Sequence, residues 1–127
     1  MDVNYGQSAP FMLGVEEELQ LVSAESYELA SRYAEVFGEA ARVDERIRPE
    51  LLQSTVEVAT TPARTVAEAI GEARELRLRA QAEADPRGVA VLSAGTHPFS
   101  RYEHQDVTEK PRYVDLIDEL QLSLIHI

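Results

Sequence analysis

The chain has 127 residues, 44% of them hydrophobic, which is enough for one packed domain and argues against a disordered tail. Its formal net charge of -11 would repel a phosphate backbone, and its basic residues form no stripe, so nucleic acid is not an expected partner. The absence of cysteine excludes disulfide frameworks, thiolate zinc sites and thiol catalysis, and fits a cytoplasmic location.

We expect neither an N-terminal targeting signal nor a membrane-spanning segment in this chain. No stretch reaches the roughly 20 apolar residues that a membrane-spanning helix requires, so we expect no membrane partner. Residues 1–10 are polar and lack the features of a signal peptide, and we predict a flexible N-terminus there. Residues 122–127 form an apolar end without a cap or a turn, which we interpret as an artefactual tail.

The first predicted element is a strand from Phe11 to Val22, where polar or charged side chains alternate with apolar ones. Alternation places Glu16, Glu18 and Gln20 on one face of this strand. The other face is apolar except for Glu17. This strand therefore has an acidic side and a core side.

A turn over residues 23–28 is predicted next, followed by a helix over residues 30–41 with aromatic and small residues at helical spacing. Residues 42–47 are predicted as a second strand. Residues 51–60 are predicted as a third strand because they are rich in valine and threonine and alternate in polarity. Pro49 interrupts the region between them.

The clearest predicted helix begins at Thr65, whose spacing to Glu68 is that of a capping box. Apolar residues recur every three or four positions and are expected to face inward: Val66, Ala69, Ile70, Ala73, Leu76 and Ala80. The segment from Asp85 to Gly88 ends this helix. A buried strand over residues 89–94, a loop over residues 95–111 and an amphipathic helix over residues 113–122 follow, with Leu116, Ile117 and Leu120 inward. The predicted class is mixed α+β, with no internal repeat or second domain.

The acidic side of the first strand could hold metal ions. Residues two apart on a strand project from one face roughly 6.5 to 7 Å apart, so Glu16 and Glu18 could ligate one divalent cation or two neighbouring ones. Magnesium prefers carboxylate oxygens together with water and substrate phosphates. The alternative is an exposed acidic strand face without a ligand.

A second acidic pair is Glu50 and Glu57, which flank residues 51–56, a segment of apolar and uncharged polar side chains. Glu57 lies between two valines, and a carboxylate buried there would need a cation, an arginine or a proton as companion. The alternative is a glutamate on an edge strand that faces water. Strict alternation places residues seven apart on opposite faces, so Glu50 joins Glu57 only if a bulge or bend intervenes.

Three further residues are candidates for ligand contacts. Thr96 and His97 follow Gly95 at the end of a predicted buried strand, where a loop can meet a ligand. The alternative for His97 is a hydrogen-bonding role within the loop. Arg64 could bind a carboxylate or phosphate, or it could join the ion pairs of the following helix.

Three segments, taken together, resemble successive motifs of the glutamate–cysteine ligase type 2 family: residues 11–22, residues 50–60 and residues 95–99. Residues 64–68 and 112–113 also resemble family residues, so the resemblance covers about residues 11–120. It implies that residues 11–121 are the N-terminal portion of a single catalytic domain. The implied fold is an antiparallel sheet with packed helices, part of a glutamine synthetase-like catalytic fold.

The resemblance also implies a reaction and its site. ATP would phosphorylate glutamate or a similar carboxylate, and cysteine or another amine would then displace phosphate to form an amide. It assigns Glu16, Glu18, Glu57 and, less directly, Glu50 as Mg²⁺ ligands, and Thr96, His97 and Arg64 as substrate or nucleotide contacts, with no residue assigned to acid–base catalysis. Later family motifs are missing here, so we expect the chain alone to be inactive and to associate through uncovered surfaces, which leaves room for a homo-oligomer.

Two other functions remain open from the sequence. One is a non-catalytic acidic module that binds a cation or a protein partner. The other is a phosphotransferase on a similar sheet, such as a guanidino kinase, which would yield a phosphorylated product and no amide. The products formed from ATP distinguish all three.

Overall fold

The computed structural model describes residues 11–120, without the side chains of Tyr102 and Leu120. The predicted flexible residues 1–10 and the predicted tail 122–127 lie outside the described residues. Within the described range the helices and strands, in chain order, are β1 Glu16–Ser23, α1 Tyr33–Phe37, α2 Ala40–Val43, β2 Ile47–Pro49, β3 Thr55–Ala59, α3 Val66–Ala84, β4 Val89–Leu92 and α4 Pro111–Leu120. The predicted α+β class is confirmed.

The strands form one antiparallel sheet in the order β2-β3-β1-β4, so β1 and β3 are the inner strands. One face of the sheet is covered by α3 and α1 and forms the core. Its side chains are buried and apolar, and the largest include Leu19, Leu21, Ile47, Val56 and Val58. The alternation predicted for β1 is confirmed, because Leu19 and Leu21 are buried while Glu16 and Glu18 are exposed.

Helix α3 starts with the predicted capping box. The Thr65 hydroxyl accepts a hydrogen bond from the Glu68 amide at 3.2 Å, and the Glu68 carboxylate accepts one from the Thr65 amide at 3.2 Å. The helix ends as predicted, at a 3-10 turn over Asp85–Arg87 whose following residue, Gly88, has a left-handed φ of 67°.

The buried side of α3 differs in part from the prediction. It consists of small residues and one leucine, which let the helix lie close to the sheet: Ala69, Ala73, Leu76, Ala80 and Ala84. Val66 and Ile70 were predicted to face inward, and this was wrong, since they are 62% and 61% exposed. Val66 is in the first turn, and Ile70 lies about 100° around the helix from the buried Ala69.

The predicted helix over residues 30–41 is two short helices, α1 and α2, separated at Gly38. A Cβ atom at residue 38 would lie 2.5 Å from the Ala34 carbonyl oxygen, a contact that only glycine avoids. The second predicted strand, residues 42–47, was also misplaced. Its first residues end α2, and the strand begins at Ile47.

The third predicted strand is shorter than expected because the chain reverses within it. Residues 50–54 connect β2 to β3, and only Thr55–Ala59 is strand. The connection is itself paired with a later segment, since Leu52 forms a bridge with Val107 and the Thr108 amide donates to the Leu51 carbonyl at 2.8 Å. The last strand ends at Leu92 rather than Ala94, and α4 begins at Pro111, a residue suited to the first turn of a helix.

On α4, Leu116 and Ile117 are half-buried, which agrees with their predicted inward side, while the side chain of Leu120 lies outside the description. None of the helices between residues 11 and 120 has the length and apolar character of a membrane span.

An ion-pair network links the residues just before β2 to helix α3. The Arg46 guanidinium donates to Asp44 at 2.8 Å and to Glu72 at 2.7 Å, and Arg79 on α3 also donates to Asp44. Hydrogen bonds from Arg46 hold the pKa of the Asp44 carboxyl far below its usual range. The network fixes the start of β2, and therefore the position of the residues that follow it.

Candidate functional site

The sheet surface opposite α3 carries the predicted metal ligands. We call it the acidic face and define it by Glu16, Glu18 and Glu57. Glu18 on β1 lies directly opposite Glu57 on β3. Like charges in directly opposed positions destabilise a sheet, so this pair has a cost that the fold must offset.

Part of that cost is offset by Arg48, a residue that the sequence analysis did not single out. Arg48 on β2 lies opposite Glu57 on its other side, with its Nη1 atom 3.3 Å from Glu57 Oε1 and 3.8 Å from Glu16 Oε1. Glu57 is on an inner strand and its side chain is 18% exposed, so the edge-strand alternative for Glu57 was wrong. Of the three companions considered for this carboxylate, the structure provides an arginine.

Glu18 experiences the excess of negative charge. Partial burial raises the pKa of its carboxyl, and the charges of Glu50, Glu57 and Glu16 raise it further. The side chain nevertheless remains exposed to solvent. A carboxylate that is crowded by three others is one whose ionised form a cation would stabilise.

The reversal between β2 and β3 settles where Glu50 lies. The chain turns back after Pro49, and Glu50, just past the end of β2 and two residues after Arg48, comes close enough to Glu18 to influence its pKa. Glu50 was expected to join Glu57 only if a bulge or bend intervened, and the reversal between Pro49 and Thr55 is such a bend. The Glu50 carboxylate also accepts a hydrogen bond from the Leu51 amide at 3.0 Å, so part of its bonding capacity serves the turn.

An unpaired oxygen adds to the acidic face. Gln20 is on the same side of β1 as Glu18, and its Oε1 atom is buried without a hydrogen-bond partner among the described residues. A buried carbonyl oxygen without a donor is costly, and a cation or a ligand donor would satisfy it. Together with the carboxylates, it forms a donor set of the hard-oxygen type that Mg²⁺ prefers. Between residues 11 and 120, however, no three acidic or histidine side chains already converge on a single point.

Tyrosine side chains from outside the sheet lie near these carboxylates. The Tyr113 hydroxyl on α4 donates to the Pro49 carbonyl at 3.2 Å, and burial, with Glu50 as the next cause, raises the pKa of Tyr113. Tyr33 on α1 is 4% exposed, and its hydroxyl has no hydrogen-bond partner in the described part of the chain. Burial, together with the charge of Glu57, raises the pKa of Tyr33 to about 12.

The loop after β4 is organised by His97. Its Nε2 atom is 2.9 Å from the Tyr27 carbonyl oxygen, and its Nδ1 atom accepts from the Ser100 amide at 3.0 Å. Because a carbonyl can only accept, Nε2 carries the proton and both ring nitrogens are engaged within the chain. This geometry is that of a loop hydrogen-bonding residue. Thr96 beside it is exposed and makes no hydrogen bond to another described residue.

Arg64 precedes α3, the helix on the opposite side of the sheet from the acidic face. Its backbone amide donates to Glu68 at 2.8 Å, as part of the helix start. Its side chain is exposed, and it forms no ion pair within residues 11–120. Contacts of Arg64, Thr96 and His97 with a substrate or nucleotide stay predictions.

Comparison with known proteins identifies a protein family that matches this chain. The model of the glutamate-cysteine ligase family 2 (GCS2) matches residues 12–123. Proteins named "Putative glutamate--cysteine ligase 2" are similar to the chain: the one from Roseiflexus castenholzii is 41% identical over 113 residues, and the one from Herpetosiphon aurantiacus is 40% identical over 113 residues. These matches cover 88% of this chain, and 30% and 29% of the two relatives.

A third relative, named "Putative glutamate--cysteine ligase 2-1" in Rubrobacter xylanophilus, is 44% identical over 112 residues, which are 87% of this chain and 30% of the relative. The chain thus spans about 30% of the length of the curated relatives it matches. The family model accounts for nearly the whole of the described range. The chain belongs to the glutamate–cysteine ligase family 2.

Proposed function

We propose that the full-length protein containing this chain is an ATP- and Mg²⁺-dependent carboxylate–amine ligase that joins glutamate to cysteine or another small amine. Family membership supports the reaction class. The observation that carries the role of this chain is the acidic face, where Glu18 is opposed by Glu57 and crowded by Glu16 and Glu50. A location in the cytoplasm, where ATP and these substrates occur, is part of the proposal.

The proposed reaction has two steps. A carboxylate oxygen of glutamate attacks the γ-phosphorus of ATP, which gives an acyl phosphate and ADP. The amine nitrogen then attacks the activated carbonyl carbon, phosphate leaves with the electrons of the cleaved C–O bond, and the nitrogen loses a proton. Bound Mg²⁺ would neutralise charge on the phosphate oxygens.

In this proposal the chain binds and orients rather than transferring protons. Glu16, Glu18 and Glu57 would hold the metal, and Glu50 and the Gln20 carbonyl oxygen would supply further oxygen donors. The inner position of β1 and β3 suits this role because paired inner strands hold side chains in fixed positions. Positioning and charge neutralisation supply most of the rate in phosphoryl transfer.

The test is Mg²⁺-dependent ADP release by the full-length protein with glutamate and cysteine. We expect Glu18→Gln and Glu57→Gln each to lower kcat by about 100-fold. Glu75→Gln is the matched control, because Glu75 is an exposed glutamate on α3, on the other side of the sheet, and it should leave kcat unchanged. The 127-residue chain alone should release no ADP.

Product analysis separates the alternatives. Amide formed in step with ADP supports the ligase, whereas a stable phosphorylated product without amide would indicate a phosphotransferase. Absence of ADP release over a panel of amines would leave a non-catalytic acidic module and contradict the proposal.

A further inference from the structure

The contacts of Arg48 with the acidic face are longer than the ion pairs that link α3 to β1 and to the start of β2. Its Nη1 atom is 3.3 Å from Glu57 and 3.8 Å from Glu16. By comparison, Arg46 is 2.7 Å from Glu72, and Arg77 donates to Glu17 at 2.6 Å on the core side of β1. Charge-assisted N–H···O bonds are normally about 2.7–2.9 Å long, so the hydrogen bond that Arg48 donates to Glu57 is long and its contact with Glu16 is electrostatic only.

Arg48 is held elsewhere by a stronger bond. Its Nε atom donates to the Glu45 carbonyl at 2.8 Å, which fixes the base of the guanidinium. The terminal Nη1 atom faces both carboxylates, and the side chain is 49% exposed. Because the guanidinium is one rigid plane, it leaves the carboxylates by giving up its hydrogen bond to Glu45, and its half-exposed position lets it enter solvent without opening the core.

We infer that Arg48 is a displaceable counter-ion that competes with divalent cations for Glu57 and Glu16. This inference rests on the proposed function, because it takes the acidic face as the metal-binding surface. One positive charge is placed where a cation would bind, against several carboxylates. Arg48 therefore limits repulsion while the face holds no metal, and lowers the affinity of the face for a metal.

The test is a calorimetric titration of the full-length protein with Mn²⁺ in the absence of nucleotide. Removing the positive charge in Arg48→Gln should tighten Mn²⁺ binding about threefold to fivefold, as expected for a partly exposed charge pair. Arg48→Met keeps an unbranched side chain without the charge and should tighten binding similarly, and Arg48→Lys should stay near wild type. Melting temperatures of all variants verify that they are folded.

Arg42→Gln is the matched control, since the Arg42 side chain is 80% exposed and pairs only with Glu39, at 3.6 Å, among the residues described. It should leave the Mn²⁺ affinity unchanged. Glu18→Gln and Glu57→Gln should weaken binding, which locates the metal on the acidic face.

Two failures can be told apart. If Mn²⁺ binding depends on Glu18 and Glu57 but both uncharged Arg48 variants bind with unchanged or weaker affinity, Arg48 does not compete and only this inference is overturned. If Mn²⁺ binding is independent of Glu18 and Glu57, the metal role proposed for the acidic face fails, and the inference fails with it.

Discussion

The hydroxyls of Tyr33 and Tyr113 are chemically identical but differ in what they contact. Tyr113 donates to the Pro49 carbonyl, whereas the buried Tyr33 hydroxyl has no partner within residues 11–120. A buried hydroxyl without a partner loses its hydration and gains nothing in return. Removing the hydroxyl oxygen should therefore change the stability of the protein differently at Tyr33 and at Tyr113.

We expect Tyr33→Phe to leave the free energy of unfolding unchanged or to increase it, and Tyr113→Phe to lower it by about 1 kcal/mol. Denaturant unfolding of the two variants beside the wild-type protein measures both changes. A loss of stability in Tyr33→Phe as large as that in Tyr113→Phe would show that the Tyr33 hydroxyl has a partner.

Glu18 provides a pH-dependent test. Its raised pKa means that the folded protein disfavours the ionised carboxylate, so ionisation of Glu18 destabilises the fold. We expect Glu18→Gln to increase the free energy of unfolding by about 0.5 kcal/mol at neutral pH. The gain should shrink as the pH falls and the wild-type Glu18 becomes protonated.

Melting temperatures between pH 4 and pH 8, in the absence of divalent cations, measure the difference, with Glu75→Gln as control. An equal effect of the two substitutions at every pH would contradict crowding at Glu18. Combined with the expected loss of kcat, a more stable Glu18→Gln variant would show a residue whose charge is kept for function at the expense of stability.

At the same scale, the acidic residues of the site could be predicted from the sequence but their partner could not. Alternation alone places Glu16 and Glu18 on one face. The contact between Arg48 and Glu57 depends on how β2 pairs with β3, which no local pattern specifies. The pairing of β2 with β3 could not be predicted because residues 51–60 alternate in polarity like one continuous strand, although the chain turns within them.

At the scale of elements, the helix start at Thr65 contributes to stability independently of the acidic face. Thr65→Ala should lower the free energy of unfolding by about 1 kcal/mol, because the amide of Glu68 loses its acceptor. Thr65→Ser retains the hydroxyl and should lose much less. Chemical denaturation measures both. Equal losses in the two variants would mean that the threonine methyl group, rather than the cap, stabilises the helix start.

Elements with a strong local signal were predicted well. Helix α3 was located at both ends because its cap, its spacing of apolar residues and its terminal glycine all agree. The segment with α1 and α2 was predicted as one helix because its apolar spacing runs across Gly38, where α1 ends. The buried side of α3 was predicted to be wider than it is. The spacing of apolar residues along the helix does not show how far the sheet beneath it extends.

At the scale of the whole molecule, the edge strand β4 has a small groove beside it. Leu78 on α3 is exposed, and with Leu19 and Val91 it lines this groove. Within residues 11–120 no strand pairs with the outer edge of β4, although the Val91 amide donates to the Gln81 side chain at 3.1 Å. A strand edge of this kind next to apolar side chains favours pairing with another chain. The match covers about 30% of the relative from Roseiflexus castenholzii, which therefore has further chain that this one lacks.

We expect the 127-residue chain alone to self-associate at micromolar concentrations, and Leu78→Glu to reduce that association by placing a charge beside the β4 edge. Sedimentation velocity measures the mass distribution. Val43→Glu changes an exposed valine on α2 and serves as control. Equal reduction by both substitutions would point to a general effect of net charge instead of the β4 edge.

The reversal between β2 and β3 has a consequence for length variation. Inserting or deleting one residue between Pro49 and Thr55 would shift β2 against β3 by one position and exchange the two sides of β2. Arg48 would then point towards the helices, and Ile47 would be exposed to water. This short connection should therefore accept substitutions at its half-buried positions far more readily than any change in its number of residues.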